Sequence, residues 1–120
     1  MMLDWKDYQR QLLATITEIG RSSPGTVRGY RELSDAGGRK DLLGAKTREL
    51  IALAVAVTRQ CDGCITVHMA AALQHGATRD EIAEALGVAI AVNAGAALIY
   101  SARALDAHAA LAEAPAPAEP

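Results

Sequence analysis

The amino-acid sequence predicts an all-α fold, and three observations support this class. Apolar residues make up 51% of the 120-residue chain, yet it contains no phenylalanine, one tryptophan and three tyrosines. Alanine, leucine, valine and isoleucine therefore supply the core. Apolar residues recur every three or four positions, and no segment alternates between apolar and polar residues as a half-buried strand does. We expect one helical bundle of about six helices over residues 1–112, followed by a disordered Ala/Pro tail at residues 113–120.

The first two helices are marked by local start and stop signals. Asp4 is placed to cap a helix over residues 4–19, and Gly20 is placed to end it. Pro24 suits the first position of a short second helix, because its missing N–H would have no partner there. Residues 36–40 are a loop by composition. The apolar face of the first helix consists of Trp5, Tyr8, Leu12, Ile16 and Ile19.

The remaining helices surround the two cysteines of the chain. A third helix begins between residues 43 and 47 and runs to about residue 57, and a fourth spans residues 61–74. Gly76 is suited to a left-handed cap that closes the fourth helix.

Two further helices are predicted after this cap. Thr78 and Glu81 form a capping-box signature, so a fifth helix is expected over residues 79–92. A last helix follows, interrupted or bent at residues 93–95.

Charge and hydropathy exclude several classes of function. The formal net charge is −2, and lysine and arginine form no run, so nucleic acid is not an expected partner. The first ten residues resemble no secretory signal, which favours a cytoplasmic protein. The apolar stretch at residues 86–100 is shorter than the roughly 20 residues of a membrane span. We therefore interpret it as a buried helix of a soluble homo-oligomer.

The most informative motif is Cys61-Asp62-Gly63-Cys64, followed by His68. Cysteines three residues apart on one helical turn face the same way and can close a disulfide, and His68 lies over that face one turn later. At a helix N-terminus, free backbone N–H groups favour a thiolate. In a reducing compartment this spacing indicates redox or metal chemistry rather than a structural crosslink.

Glu49 is the next candidate, because it lies on an otherwise apolar face of the third helix. If the third and fourth helices were one continuous helix, Glu49 would be roughly 18 Å from Cys61. If the chain instead reverses near residues 58–60, Glu49 and His68 lie at similar heights on facing helices. Glu49, His68 and Cys64 would then form a proton relay, in which the carboxylate orients the imidazole and the imidazole takes the thiol proton.

This set of residues resembles the alkylhydroperoxidase D-like branch of the carboxymuconolactone decarboxylase family. Glu49, Cys61, Cys64 and His68 match its signature E-x11-C-x-x-C-x3-H. The resemblance covers about residues 3–107. Three surrounding segments are also similar: residues 46–54, 61–65 and 76–85.

The resemblance implies an all-helical homo-oligomer, commonly a trimer or hexamer, with thiol-dependent peroxidase or disulfide reductase activity. Cys64 matches the thiol that attacks a hydroperoxide or disulfide, and Cys61 matches the thiol that resolves the intermediate. Glu49 and His68 match the proton relay. No bound cofactor or metal is implied, but an external thiol reductant is. The best-known member has a histidine immediately before its second cysteine, where this chain has Gly63.

Two alternatives remain open from the sequence. Cys61, Cys64 and His68 supply three possible ligands for Zn²⁺ or copper, so a metal-binding or redox-sensing module is the first alternative. A carboxymuconolactone decarboxylase-like reaction on a small molecule is the second alternative. That branch does not depend on a thiol pair, so the presence of both cysteines favours the redox function.

Overall fold

A computed structural model of the chain describes residues 1–113, and it confirms the all-α class. These residues form five α-helices, with one 3₁₀ turn at Gly37–Arg39, and contain no strand. About six helices were expected, and the structure has five because the predicted fifth and last helices are one continuous helix. The predicted tail lies outside the described residues from position 114 onward. The helices are α1 (Trp5–Ser22), α2 (Pro24–Ala36), α3 (Ala45–Thr58), α4 (Asp62–Gln74) and α5 (Arg79–Ala112).

The predicted signals at the first two helices are present. The Asp4 side chain accepts a hydrogen bond from the Asp7 backbone N–H at 3.1 Å and so caps α1. This helix continues two residues past Gly20, the position at which it was predicted to end. Pro24 occupies the first turn of α2, where a residue without an N–H loses no helical hydrogen bond.

The end of α4 and the start of α5 follow the predicted local chemistry. Gly76 has φ +82°, a left-handed conformation that residues with a Cβ rarely adopt. The N–H groups of Gly76 and Ala77 bond back to the carbonyls of Leu73 and Ala72, as in a Schellman motif. Thr78 then begins α5 through reciprocal bonds with Glu81: each backbone N–H donates to the other's side chain, at 2.9 and 3.1 Å.

The chain divides into two compact units, one of residues 1–89 and one that begins at Ile90. The core of the first unit is small and built from aliphatic side chains, as the composition predicted. Leu53 and Ala72 are fully buried at its centre. The surrounding residues are Ala77, Ile82, Leu50, Met69 and Leu86. This core joins α3, α4 and the start of α5, and these are the helices that carry the cysteine motif and Glu49.

The second unit contains the C-terminal part of α5, and here one prediction was wrong. The helix is not interrupted at residues 93–95, because one asparagine and one glycine cost too little to break a helix otherwise rich in alanine and leucine. The apolar segment at residues 86–100 is mostly exposed in the single chain, and its burial in a homo-oligomer stays a prediction. Among the described residues, Arg79–Ala112 is the one helix with the length and apolar composition of a membrane span.

The link between α3 and α5 yields a prediction on acid stability. Lys46 Nζ lies 2.7 Å from a carboxylate oxygen of Glu81. This lysine, together with the hydrogen bonds to Thr78, lowers the pKa of Glu81 from 4.5 to about 2. A carboxylate with a lowered pKa stabilises the fold fully above its ordinary pKa, and this stabilisation is lost as the pH falls from about 4.5 towards 2.

We therefore expect Glu81→Gln to lower the urea midpoint of unfolding at pH 7, with the difference from wild type shrinking as the pH approaches 2. Urea titrations monitored by circular dichroism at pH 7, 4 and 2.5 measure this. Glu84→Gln, which removes an exposed carboxylate from the same helix, is the control and should change the midpoint little. A pH-independent effect of Glu81→Gln would contradict the role assigned to its charge.

Candidate functional site

The two cysteines lie at the start of α4, immediately after a tight turn. Gln60 adopts a left-handed conformation with φ +52°, and Cys61 follows as the N-cap residue of α4. The sulfur of Cys61 accepts a hydrogen bond from the Cys64 backbone N–H at 3.2 Å. Cys61 and Cys64 are joined in a disulfide, with their Cα atoms 5.3 Å apart. The motif therefore has the geometry needed to cycle between dithiol and disulfide.

The turn brings Glu49 of α3 into direct contact with His68 of α4. Glu49 Oε2 lies 2.7 Å from His68 Nδ1, although nineteen residues separate the two positions. A straight helix would hold them roughly 28 Å apart, so this contact exists only because the chain reverses between α3 and α4. The Glu49–His68 pair predicted from the sequence depended on this reversal.

The pair has a defined polarity. A carboxylate can only accept a hydrogen bond, so Nδ1 of His68 is the donor to Glu49, and Nε2 takes no part in this contact. The side chains of Glu49 and His68 are 23% and 28% exposed, so both are largely shielded yet still reachable by solvent. His68 lies one turn after Cys64 on the same face of α4. The arrangement places the imidazole of His68 one helical turn from Cys64.

Leu12 of α1 is a residue of the site that sequence reasoning missed. A Cβ atom built on Gly63 would lie 2.8 Å from Leu12 Cδ2, closer than two carbon atoms can approach. Leu12 therefore fills the space beside Gly63, one of the two residues between the cysteines. In the sequence Leu12 is one apolar residue of an amphipathic helix, and no local signal connects it to a motif 51 positions away.

Metal ligation has little support in the geometry. Within residues 1–113, no group of three or more histidine, cysteine, aspartate or glutamate side chains is arranged to hold a metal ion. The two sulfurs are bonded to each other, and His68 Nδ1 is engaged by Glu49. Asp62, the remaining acidic residue of the motif, is exposed in the first turn of α4.

Comparison with known proteins relates the chain to several bacterial proteins. An uncharacterized protein of Haemophilus influenzae is 46% identical over 108 residues, which cover 90% of this chain and 96% of that protein. An uncharacterized protein of Cupriavidus necator is 32% identical over 105 residues, covering 88% and 93% of the two chains. Uncharacterized protein 4 in the cox locus of Paracoccus denitrificans is 36% identical over 92 residues, 77% of this chain and 83% of that one.

A solved structure gives the same relationship at the level of the fold. The apo crystal structure of a carboxymuconolactone decarboxylase family protein from Legionella pneumophila superimposes with a TM-score of 0.71 at 34% identity. The match covers 86% of this chain and 92% of the Legionella protein. Residues 24–107, which include α3, α4 and the cysteine motif, match the family as a whole. On sequence and fold together, this chain is a member of the carboxymuconolactone decarboxylase family.

Proposed function

We propose that the protein is a thiol oxidoreductase of the alkylhydroperoxidase D type, reducing hydroperoxides or a partner disulfide. The observation that carries this proposal is the 2.7 Å contact of Glu49 with His68, one helical turn from the Cys61–Cys64 disulfide. Thiol, thiol, imidazole and carboxylate are the groups that such chemistry requires. Family membership is compatible with this activity, although the family also contains decarboxylases.

The proposed cycle begins with both cysteines reduced. Through His68, the Cys64 thiol loses its proton, and the thiolate attacks the distal oxygen of a hydroperoxide. The O–O bond breaks, an alcohol leaves with a proton, and Cys64 becomes a sulfenic acid. Cys61 then attacks the Cys64 sulfur, water leaves, and the observed disulfide forms. An external dithiol reduces this disulfide by exchange and is itself oxidised to a disulfide.

The same groups serve a disulfide substrate. The Cys64 thiolate attacks one sulfur of the substrate, and the other sulfur leaves as a thiol. Cys61 then attacks the mixed disulfide and releases the second substrate sulfur as a thiol. In both reactions Cys64 is the catalytic nucleophile, His68 moves the proton, and Glu49 is a positioning residue that acts through His68.

The relay predicts a specific effect of Glu49→Gln. The amide oxygen can still accept from Nδ1, so the contact survives but the negative charge that stabilises an imidazolium is lost. We expect kcat to fall about 10- to 100-fold with KM nearly unchanged, within the range typical of acid–base groups. Peroxide consumption with dihydrolipoamide or dithiothreitol measures turnover. The rate of iodoacetamide alkylation of the reduced protein should fall in parallel, because it reports thiolate formation.

Glu49→Asp should recover part of the lost rate, because the charge returns at a slightly different distance. Glu84→Gln provides the matched control, since it makes the same chemical change at an exposed position. If fully reduced wild-type protein turns over no hydroperoxide and no disulfide with either dithiol, the proposal is wrong. Turnover of a lactone acid by that inactive protein would instead support the decarboxylase-like alternative.

A further inference from the structure

A cleft lies between the end of α1 and the start of α2, and no residue of the cysteine motif lines it. Its volume is about 410 Å³, within the roughly 300–1,000 Å³ that small-molecule sites occupy. Each helix contributes one side of it: residues 16, 17, 20 and 21 come from α1, and residues 24, 27, 28 and 31 come from α2. Positions three or four apart share a helical face, so two facing stripes of side chains form this α1/α2 cleft.

The floor of the α1/α2 cleft is apolar. Ile16, Gly20 and Val27 line it and are half-buried. A Cβ atom built on Gly20 would lie 3.7 Å from Val27 Cβ, so the backbone of α1 comes close to this valine and the two helices meet there. The floor can therefore cover a small apolar group of a ligand, and covering apolar surface favours binding.

Three exposed arginines, Arg21, Arg28 and Arg31, line the same cleft. Within residues 1–113, none of them forms an ion pair. The acidic residues nearest to them in sequence do not line the cleft; they are Glu18, Glu32 and Asp35. A chain whose formal net charge is −2 therefore carries three positive charges around one apolar floor, and no carboxylate of the cleft neutralises them.

This combination of groups indicates the chemistry of a ligand. A guanidinium is a permanently charged planar fork that binds phosphate or carboxylate through two parallel hydrogen bonds. A phosphate ester has a charge of about −1.5 to −2 near pH 7 and three strong acceptor oxygens, so it can use three guanidinium groups at once. A single carboxylate has one charge and two oxygens. Inorganic phosphate would satisfy the arginines but leave the apolar floor uncovered.

We propose that the α1/α2 cleft binds a small phosphate ester with an apolar organic group. Its phosphate lies among Arg21, Arg28 and Arg31, and its organic group covers the floor at Ile16 and Val27. Because the cysteine motif is not part of this cleft, the inference is independent of the proposed thiol chemistry, and it is tested on the oxidised protein without turnover.

Isothermal titration calorimetry of the full chain with phenyl phosphate at low ionic strength tests the site. We expect a Kd below about 1 mM, a Kd about tenfold higher for inorganic phosphate, which has no apolar group, and weaker binding as salt is added. Arg28→Gln should raise the Kd for phenyl phosphate about tenfold or more, because it removes a charge-assisted contact. Arg39→Gln is the control, since Arg39 is exposed and lies outside the cleft.

Two threonines of α1 provide a second matched pair of variants. Thr17 lines the cleft and Thr15 does not, although both are exposed and both hydroxyls donate to the carbonyl four residues earlier. Thr17→Glu places a carboxylate among the arginines and should abolish binding of phenyl phosphate, whereas Thr15→Glu should change it little. Circular dichroism checks that each variant is folded.

Four results would overturn the proposal. The first is the absence of phenyl phosphate binding to the folded wild type at 10 mM, about ten times the expected limit for Kd. The second is an equal loss of binding in Arg28→Gln and Arg39→Gln. The third is phenylacetate binding as tightly as phenyl phosphate, which would assign the cleft to carboxylates. The fourth is Arg28-dependent sedimentation with phosphatidylglycerol vesicles without binding of phenyl phosphate, which would assign the arginines to a membrane surface.

Discussion

Replacing Cys64 by serine is expected to abolish thiol-dependent turnover, by at least about 10³-fold for hydroperoxides and disulfides alike. The thiolate is the reactive form of cysteine, and a serine hydroxyl does not ionise near neutral pH. In the proposed cycle no other residue of the chain attacks the substrate. Peroxide consumption and disulfide reduction by the purified variant, with dihydrolipoamide as reductant, measure the loss.

Cys61→Ser is expected to give a different defect, because Cys61 acts after the attack. Without a resolving thiol, Cys64 should react once with a hydroperoxide and then stop as a sulfenic acid. A burst of one equivalent, followed by labelling of Cys64 with dimedone, detects this state.

The structure indicates that Cys61→Ser should remove the thiol without disturbing the start of α4. Cys61 is the N-cap residue of α4 and its sulfur accepts the Cys64 N–H. Serine is a preferred N-cap residue, so Cys61→Ser removes the thiol while keeping the helix start. Full multiple turnover by Cys64→Ser would contradict the role proposed for Cys64. Normal cycling by Cys61→Ser, in place of a one-equivalent burst, would contradict the role proposed for Cys61.

The parts of the fold that were predictable from the sequence are those governed by local chemistry. The cap at Asp4, the left-handed Gly76 and the Thr78–Glu81 box each involve groups only a few residues apart, so their partners can be read directly from the chain. Local signals were less reliable predictors where the residues involved destabilise a helix only slightly. The asparagine and glycine at residues 93–95 predicted a break, but the helix is continuous, since the cost of such residues is about 1 kcal/mol each or less.

In the candidate site, too, the contacts set by nearby residues could be predicted and the contacts between distant helices could not. Glu49 and His68 were paired in advance because only one short turn separates their helices, so counting residues from the turn sets their heights. Their catalytic roles, and those of the cysteines, stay predictions. Leu12 was not predictable as a neighbour of Gly63, because that contact depends on how α1 packs across α4. The apolar periodicity of a helix indicates which face packs, but it does not indicate which residue of a distant helix that face contacts.

The Leu12–Gly63 contact leads to the second prediction of large effect. Gly63→His should destabilise the fold by about 1–3 kcal/mol, because an imidazole at this position must displace the partly buried Leu12 side chain, and such overpacking typically costs about that much. Gly63→Ala should be milder, since the better helix propensity of alanine, up to about 1 kcal/mol, offsets part of the clash. Urea unfolding of the oxidised proteins measures both.

A double-mutant cycle with Leu12→Ala separates the clash from other effects of histidine. The smaller alanine leaves room for the ring, so Leu12→Ala/Gly63→His should be more stable than the sum of the single changes predicts, by about 1–3 kcal/mol. Gly29→His provides the control, because nothing lies within 4 Å of a Cβ at Gly29 of α2. Strict additivity in the cycle would show that Leu12 does not close this space.

The same double variant connects packing to chemistry. It places a second imidazole immediately before Cys64 in the sequence, as in the best-known alkylhydroperoxidase D-like protein that the motif resembles. If the single relay through His68 limits peroxide reduction, the double variant should consume peroxide faster than Leu12→Ala alone, by about tenfold or more. An unchanged rate, in protein shown to be folded and fully reduced, would mean that proton transfer beside Cys64 does not limit turnover and that Leu12 serves packing alone.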